Sequence, residues 1–245
     1  MIDTLFWLSA FFAEVIGTMA GFGSSTVFLP IALLFLDFKA ALILVAIFHI
    51  SGNLGRITFF RHGFDRRLLL IFGLPSVFFT LVGALLVNYA PQLFLKLILG
   101  FFLIAYSLIS MLKPDLSFNP SKTNSFVGGS LSGFFAGLIG TGGALRGAFL
   151  TSFELKKSVY ISTAAAISLA VDVTRIPVYF GSGFLESRLY YYIPILFVLA
   201  ILGSFTGKRI VGKIPQPTFK KLVLIAIFLV STKFLYDGIF FLISR

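Results

Sequence analysis

The chain has 245 residues with an apolar fraction of 58%, a charged fraction of 12%, a net charge of +11 and no cysteine. So much apolar surface excludes a soluble globular protein, and the missing thiols exclude disulfides, thiolate metal sites and cysteine nucleophiles. The basic residues lie in short loops beside apolar segments, which excludes nucleic acid as a partner and predicts a protein of the lipid bilayer.

Apolar runs of about twenty residues predict helices that cross a membrane core of about 30 Å. They fall into two similar sets, separated by a polar connection. The predicted segments are Leu5–Leu36, Ala40–Phe60, Leu68–Val87 and Gln92–Leu112, and then Ser125–Phe153, Val159–Phe180, Tyr190–Ile210 and Thr218–Ile243. We therefore expect two transmembrane repeats, 1–112 and 125–245, joined by a cytoplasmic linker over 113–124.

The first segment of each set is interrupted by glycine. Residues 21–25 read Gly-Phe-Gly-Ser-Ser and residues 140–143 read Gly-Thr-Gly-Gly, at an offset of 119. The same offset pairs Asn53 with Asp172, and Arg56 with Arg175. Paired and interrupted segments of this kind are typical of secondary transporters.

The charges of the loops favour one of two arrangements of these segments. If the interrupted segments cross the membrane, the basic loop residues divide nine to seven between its two sides, which indicates no orientation. If they turn back as re-entrant hairpins, the division is twelve inside to four outside, as the positive-inside rule requires. We expect an all-α membrane protein of two inverted repeats, each a re-entrant hairpin plus three transmembrane helices, with both termini outside.

The tips of the two hairpins predict an anion site. The second half of each hairpin begins with free N–H groups and the positive end of a helix dipole. The candidate binding residues are Gly21, Gly23, Ser24, Ser25, Asn53, Arg56, Gly140, Thr141, Gly142, Gly143, Arg146 and Arg175. The other interpretation is that the glycines only allow close helix packing.

Ionisable residues within apolar segments are functional candidates. Arg146 is the strongest, because it lies about one turn beyond the second tip. Arg56 and Arg175 either face the pathway or extend to the membrane surface. Asp172 has the i, i+3 spacing of a partner for Arg175, whereas Asn53 leaves Arg56 without a local carboxylate. His49, Glu14 and Asp172 are the candidates for coupling to a proton, with sodium as the other coupling ion considered.

The residues that carry these patterns resemble a known family. Gly17, Ala20, Gly21, Gly23 and Ser24-Ser25, followed by Pro30, are similar to the glycine-rich segment of the sulfite exporter TauE/SafE family. So are the second-half glycines at 133, 137, 140, 142 and 143, although this half lacks a counterpart of Pro30.

The resemblance implies a permease of the bacterial inner membrane that carries sulfite, sulfonates or thiosulfate, without a cofactor or metal. The alternatives are a passive anion channel and an intramembrane hydrolase. The hydrolase would use Ser24 or Ser25 with His49, but no third group that orients the histidine is identifiable.

Overall fold

The structure is a computed structural model. It describes residues 2–21, 23–60, 63–113 and 118–211, and separate helical residues between 221 and 236. Within these ranges the secondary structure is entirely helical. Five helices are long and apolar enough to cross a membrane: Phe38–Phe59, Arg66–Tyr89, Gln92–Leu112, Lys157–Gly181 and Ser187–Ile210. The chain is therefore a multi-pass membrane protein.

The described residues of the first half form six α-helices. They are α1 (Ile2–Ala20), α2 (Ser25–Ala32), α3 (Phe38–Phe59), α4 (Arg66–Leu68), α5 (Leu74–Leu86) and α6 (Gln92–Leu112). A π-helical turn over Leu69–Gly73 joins α4 to α5, and a 3-10 turn over Val87–Tyr89 extends α5. Together they form one continuous helical rod over Arg66–Tyr89. The glycines end α1, because Gly21 and Gly23 have φ angles of 77° and 94° that other residues rarely adopt.

The second half repeats this order. It contains α7 (Lys122–Ile139), α8 (Gly143–Leu150), α9 (Lys157–Gly181) and α10 (Tyr192–Ile210). Gly140, with a φ of 78°, ends α7 as Gly21 ends α1. The observed bounds differ by up to four residues from the predicted segments, and α7 begins inside the predicted linker. Most of the predicted last segment and part of that linker lie outside the described residues.

The second helix of each glycine-interrupted segment lies back along the first. The ring of Phe6, early in α1, lies 5.3 Å from Phe28 in α2 and 5.7 Å from Phe35 beyond it. In the second half, a side chain at Gly128 of α7 would overlap the ring of Phe149 near the end of α8. Both α2 and α8 have eight residues, which is about 12 Å of helix and too short to cross a membrane.

The helices α3 and α9 cross near their centres and run antiparallel. Lys39 at the start of α3 lies over the ring of Phe184 beyond the end of α9. At the other end, the Asp65 amide donates to the Thr163 hydroxyl at 3.0 Å. Between these points the Asn53 amide meets Asp172. These two helices, which the offset of 119 in the sequence predicts to be equivalent, therefore point in opposite directions.

Each half also packs its helices against the other half. The helix α1 lies parallel to α10, where the ring of Trp7 meets Tyr192 and a Cβ at Gly207 would lie 2.8 Å from the Thr18 side chain. In the same way α7 lies parallel to α5, where the Ser76 and Thr80 hydroxyls donate to the carbonyls of Gly129 and Gly133. The fold thus brings the two glycine breaks toward the α3–α9 crossing from both sides.

Candidate functional site

Six charged or titratable side chains are buried around the α3–α9 crossing. In the described part of the chain they are Glu14, His49, Arg56, Arg146, Asp172 and Arg175, none more than 3% exposed. Three arginines thus face two carboxylates. Burying a charge without a partner is costly, so the partners of each arginine indicate which one is available to a ligand.

Arg175 has its partners within the protein. Its Nε and Nη2 atoms donate to Oδ1 of Asp172 at 3.0 and 2.7 Å, and Nη1 donates to the Ala136 carbonyl at 2.6 Å. The predicted pair with Asp172 is therefore confirmed. Arg175 is 1% exposed, so the alternative in which it extends to the membrane surface is wrong. It also satisfies a carbonyl near the end of α7 that the helix leaves open.

Arg56 also has a carboxylate partner, although, as predicted, none from its own helix. Its Nη2 donates to Oε1 of Glu14 at 2.6 Å, its Nε to the Thr18 hydroxyl at 3.1 Å and its Nη1 to Asn53 at 2.6 Å. The carboxylate comes from α1, and Gly52 and Gly203 leave room for it because a side chain at either position would overlap Glu14. Arg56 is buried and so does not extend to the membrane surface.

The two arginine clusters meet through Asn53 and His49 on α3. Asn53 donates to Oδ2 of Asp172 at 3.2 Å, and Nδ1 of His49 lies 2.9 Å from the same oxygen. Asp172 is therefore a group that orients His49, although the sequence indicated none. None of the described hydrogen bonds joins His49 to Ser24 or Ser25, and the Ser24 hydroxyl instead accepts from Arg56 at 3.3 Å.

Arg146 is the exception among the three arginines. It lies in the first turn of α8 and is 2% exposed, and its Nε has no hydrogen-bond partner. The described salt bridges and side-chain hydrogen bonds include none from its guanidinium. It lines a small cavity together with Ser25, His49, Ala136, Gly140, Gly142, Gly143, Ser168, Val171, Asp172 and Arg175. The described site therefore has one excess positive charge, and that charge faces the cavity.

The two glycine breaks meet at this cavity. The hydroxyls of Thr26 and Thr141 lie 2.9 Å apart and join the start of α2 to the break before α8. A Cβ at Gly23 would lie 2.7 Å from Nε2 of His49 and 3.7 Å from Nη2 of Arg146. The cavity is small: the centre of a water-sized sphere can occupy only about 10 Å³ of it, which is room for about one water molecule. A sulfur oxyanion therefore requires the cavity to widen.

Most of the predicted site residues are brought together here. The two breaks, His49, Asn53, Arg146, Asp172 and Arg175 surround or adjoin the cavity, whereas Glu14 and Arg56 form the cluster beside it. The sequence analysis missed Thr18, Thr26, Ser168 and Ser204. Thr18 follows Glu14 by one helical turn, which was an available signal. Ser204, which donates to Glu14 at 2.7 Å, comes from α10 without any sequence signal.

Comparisons with known proteins place the chain in a family. No curated protein and no solved structure matches it. A family profile described as Sulfite exporter TauE/SafE matches residues 6–234, which is nearly the whole chain. The resemblance noted from the two glycine-rich segments is thereby confirmed. The protein belongs to the sulfite exporter TauE/SafE family, which implies a membrane transporter of sulfite-like anions.

Proposed function

We propose that this protein is a secondary transporter of small sulfur-containing anions, such as sulfite, sulfonates or thiosulfate, in the bacterial inner membrane. The anion is held between the two glycine breaks and is carried by alternating access. The observation that carries this proposal is Arg146, a buried arginine without a described partner that faces the cavity.

Arg146 has the right electrostatics for an anion. A lone charge within a membrane protein is tolerated where it meets a counter-ion or a wet cavity. Here Arg56 and Arg175 already have the two carboxylates, so an oxyanion would neutralise the third arginine. The free N–H groups at the starts of α2 and α8 would add further donors, which is why we include Ser25 and Gly143 in the proposed site.

Helix direction supports the inverted arrangement that alternating access uses. The antiparallel crossing of α3 and α9, together with the parallel packing of α1 on α10 and of α7 on α5, fits two repeats related by an axis in the membrane plane. The folded-back α2 and α8 fit re-entrant hairpins. With basic loops on the cytoplasmic side, both termini lie outside.

Two other functions use some of the same residues. A passive anion channel would need only the tips and Arg146, and it differs by giving flux that does not saturate. An intramembrane hydrolase has His49 and Asp172 in contact, but a serine nucleophile must be within reach of its base. Among the described hydrogen bonds, the Ser24 hydroxyl accepts from Arg56 instead.

Flux into proteoliposomes tests the proposal. Sulfite, sulfoacetate, thiosulfate and sulfate are compared, with and without a preloaded anion inside. We expect saturable uptake of at least one sulfur anion, accelerated by the preloaded anion. Removing one partner of a buried charge pair costs about 2–5 kcal/mol, so Arg146→Gln should weaken apparent affinity about 30-fold or more.

Arg188 offers a matched control. It is an exposed arginine that pairs with Glu186, so Arg188→Gln removes the same charge without touching the cavity and should transport normally. Normal transport by Arg146→Gln would contradict the proposed site. Flux that neither saturates nor responds to a preloaded anion would favour the channel.

A further inference from the structure

His49 is held by Asp172 in one defined orientation. The carboxylate receives two N–H groups of Arg175 on Oδ1 and the Asn53 amide on Oδ2. A carboxylate with these donors is an acceptor only. The His49 Nδ1, 2.9 Å from Oδ2, therefore carries a hydrogen. In a neutral imidazole the other nitrogen, Nε2, must then present a lone pair.

That lone pair faces the anion site. Nε2 is buried without a hydrogen-bond partner, and it lies 2.7 Å from where a Cβ of Gly23 would be. The nearest part of Arg146, Nη2, lies 3.7 Å from the same position. An anion bound by Arg146 in this space would meet Nε2. Two lone pairs facing each other in a dry site repel, whereas an N–H or O–H between them makes a charge-assisted bond.

The surrounding charges leave His49 as the group that can take up a proton. From α9 it faces Asp172, which Arg175 already neutralises. From α8 it faces Arg146, whose positive charge an incoming anion would offset. On its own helix Arg56 is paired with Glu14 of α1. The carboxylates are thus each paired with an arginine, and the imidazole faces the cavity.

We propose that the anion and one proton bind together, the anion at Arg146 and the proton between Nε2 of His49 and the anion. This inference rests on the proposed function, which it extends by naming the coupling ion. Two entry routes give the same complex. Hydrogensulfite brings the proton on its own O–H, which donates to Nε2; a fully ionised sulfonate requires a proton from water, which makes the imidazolium.

Proton uptake on binding is the direct measurement. Methanesulfonate is the probe, because its sulfonate stays ionised near neutral pH and any proton taken up goes to the protein. Calorimetric titration of the purified protein in two buffers of different ionisation enthalpy gives the number of protons bound per anion. We expect about one proton at pH 8, with the apparent Kd rising about tenfold per pH unit toward pH 9.

A pair of histidine variants assigns the proton. His49→Gln cannot titrate, so it should bind methanesulfonate more weakly, without proton uptake and with a Kd independent of pH. His62, the other of the two histidines, gives the control His62→Gln, which should keep both the uptake and the pH dependence. Proton uptake by the wild-type protein is by itself a test of the inference. The inference can therefore be overturned even if His49→Gln folds poorly.

The outcomes separate the inference from the function beneath it. Anion binding with uptake of one proton, in which the uptake is lost in His49→Gln and kept in His62→Gln, supports both the inference and the proposed function. Binding of methanesulfonate without proton uptake overturns the inference and leaves the transporter standing. A failure of both anions to bind, together with absent flux, overturns the proposed function and this inference with it.

Discussion

Asn53 and Asp172, which occupy equivalent positions 119 residues apart, touch each other at the centre of the molecule. The Asn53 amide donates to Oδ2 of Asp172 at 3.2 Å. Equivalent residues of two repeats can meet only close to the axis that relates the repeats. In the proposed inverted arrangement the contact would mark this axis at the α3–α9 crossing, with an amide on one side of it and a carboxylate on the other.

Because one position carries an amide and the other a carboxylate, we expect the effects of substituting Asn53 and Asp172 on stability to depend on each other. Asn53→Asp places two carboxylates in contact in a buried site, and Asp172→Asn leaves Arg175 without its carboxylate. Breaking a buried ion pair costs about 3–5 kcal/mol, so each single variant should unfold at a clearly lower temperature. The double variant restores one carboxylate at the axis within reach of His49, which lies 3.4 Å from Asn53.

We therefore expect the double variant to be more stable than the sum of the two single changes predicts. Thermal unfolding in detergent, arranged as a double-mutant cycle, measures the difference. Strictly additive losses would mean that the two positions do not interact, contrary to their contact. Ser130→Ala serves as the control, since Ser130 is partly exposed and its hydroxyl donates to the Phe126 carbonyl of its own helix.

Arg146 allows a stability test that separates a binding role from a structural one. An arginine that supports the fold should destabilise the protein when it is removed. A buried arginine whose counter-ion is the bound anion should do the reverse, because burying a charge without a partner is costly and an apolar side chain avoids that cost. We expect Arg146→Met to raise the unfolding temperature in buffer without a sulfur anion.

The same variant should lose the response to ligand. Added sulfite should raise the unfolding temperature of the wild type, since a ligand that binds only the folded state stabilises it, and should leave Arg146→Met unchanged. A lower unfolding temperature for Arg146→Met in anion-free buffer would instead show that Arg146 supports the fold.

Glycines on α7 predict where the fold tolerates no side chain. A Cβ at Gly133 would overlap the carbonyl oxygen of Ser76 on α5, and this neighbour is backbone and cannot turn away. Overpacking costs about 1–3 kcal/mol, occasionally more, so Gly133→Ala should lower the unfolding temperature. Gly181→Ala, at the end of α9 with nothing within 4 Å, should not. Equal effects of the two changes would argue against close α5–α7 packing.

The sequence predicted helices well because apolar length and glycine breaks are local signals. The span Gln92–Leu112 matches the predicted bounds residue for residue, and the pair of Asp172 with Arg175 follows from spacing within one helix. The pairing of Arg56 with Glu14 could not be predicted in this way. It joins residues 42 positions apart and depends on room that Gly52 makes between different helices.

The prediction that Arg56 and Arg175 could extend to the membrane surface was wrong for a related reason. Arg56 and Arg175 lie within reach of helix ends, so a single helix in lipid would send both side chains to the surface. In the fold, neighbouring helices offer Glu14 and the Ala136 carbonyl at shorter range. Arg146 differs, because a break in a helix can be recognised without knowing its neighbours, and its role in binding an anion stays a prediction.

The direction of the repeats can be tested by labelling, since the chain has no natural cysteine. Phe64 follows α3 and Ser187 follows α9, and both are exposed. Inverted repeats put these positions on opposite sides of the membrane, whereas two parallel four-span halves put them on the same side. We expect a membrane-impermeant thiol reagent, added to intact cells, to label Ser187→Cys and to reach Phe64→Cys only after the membrane is opened. Labelling of both in intact cells, or of neither, would rule out the inverted arrangement and with it the exchange of roles between repeats on which alternating access depends.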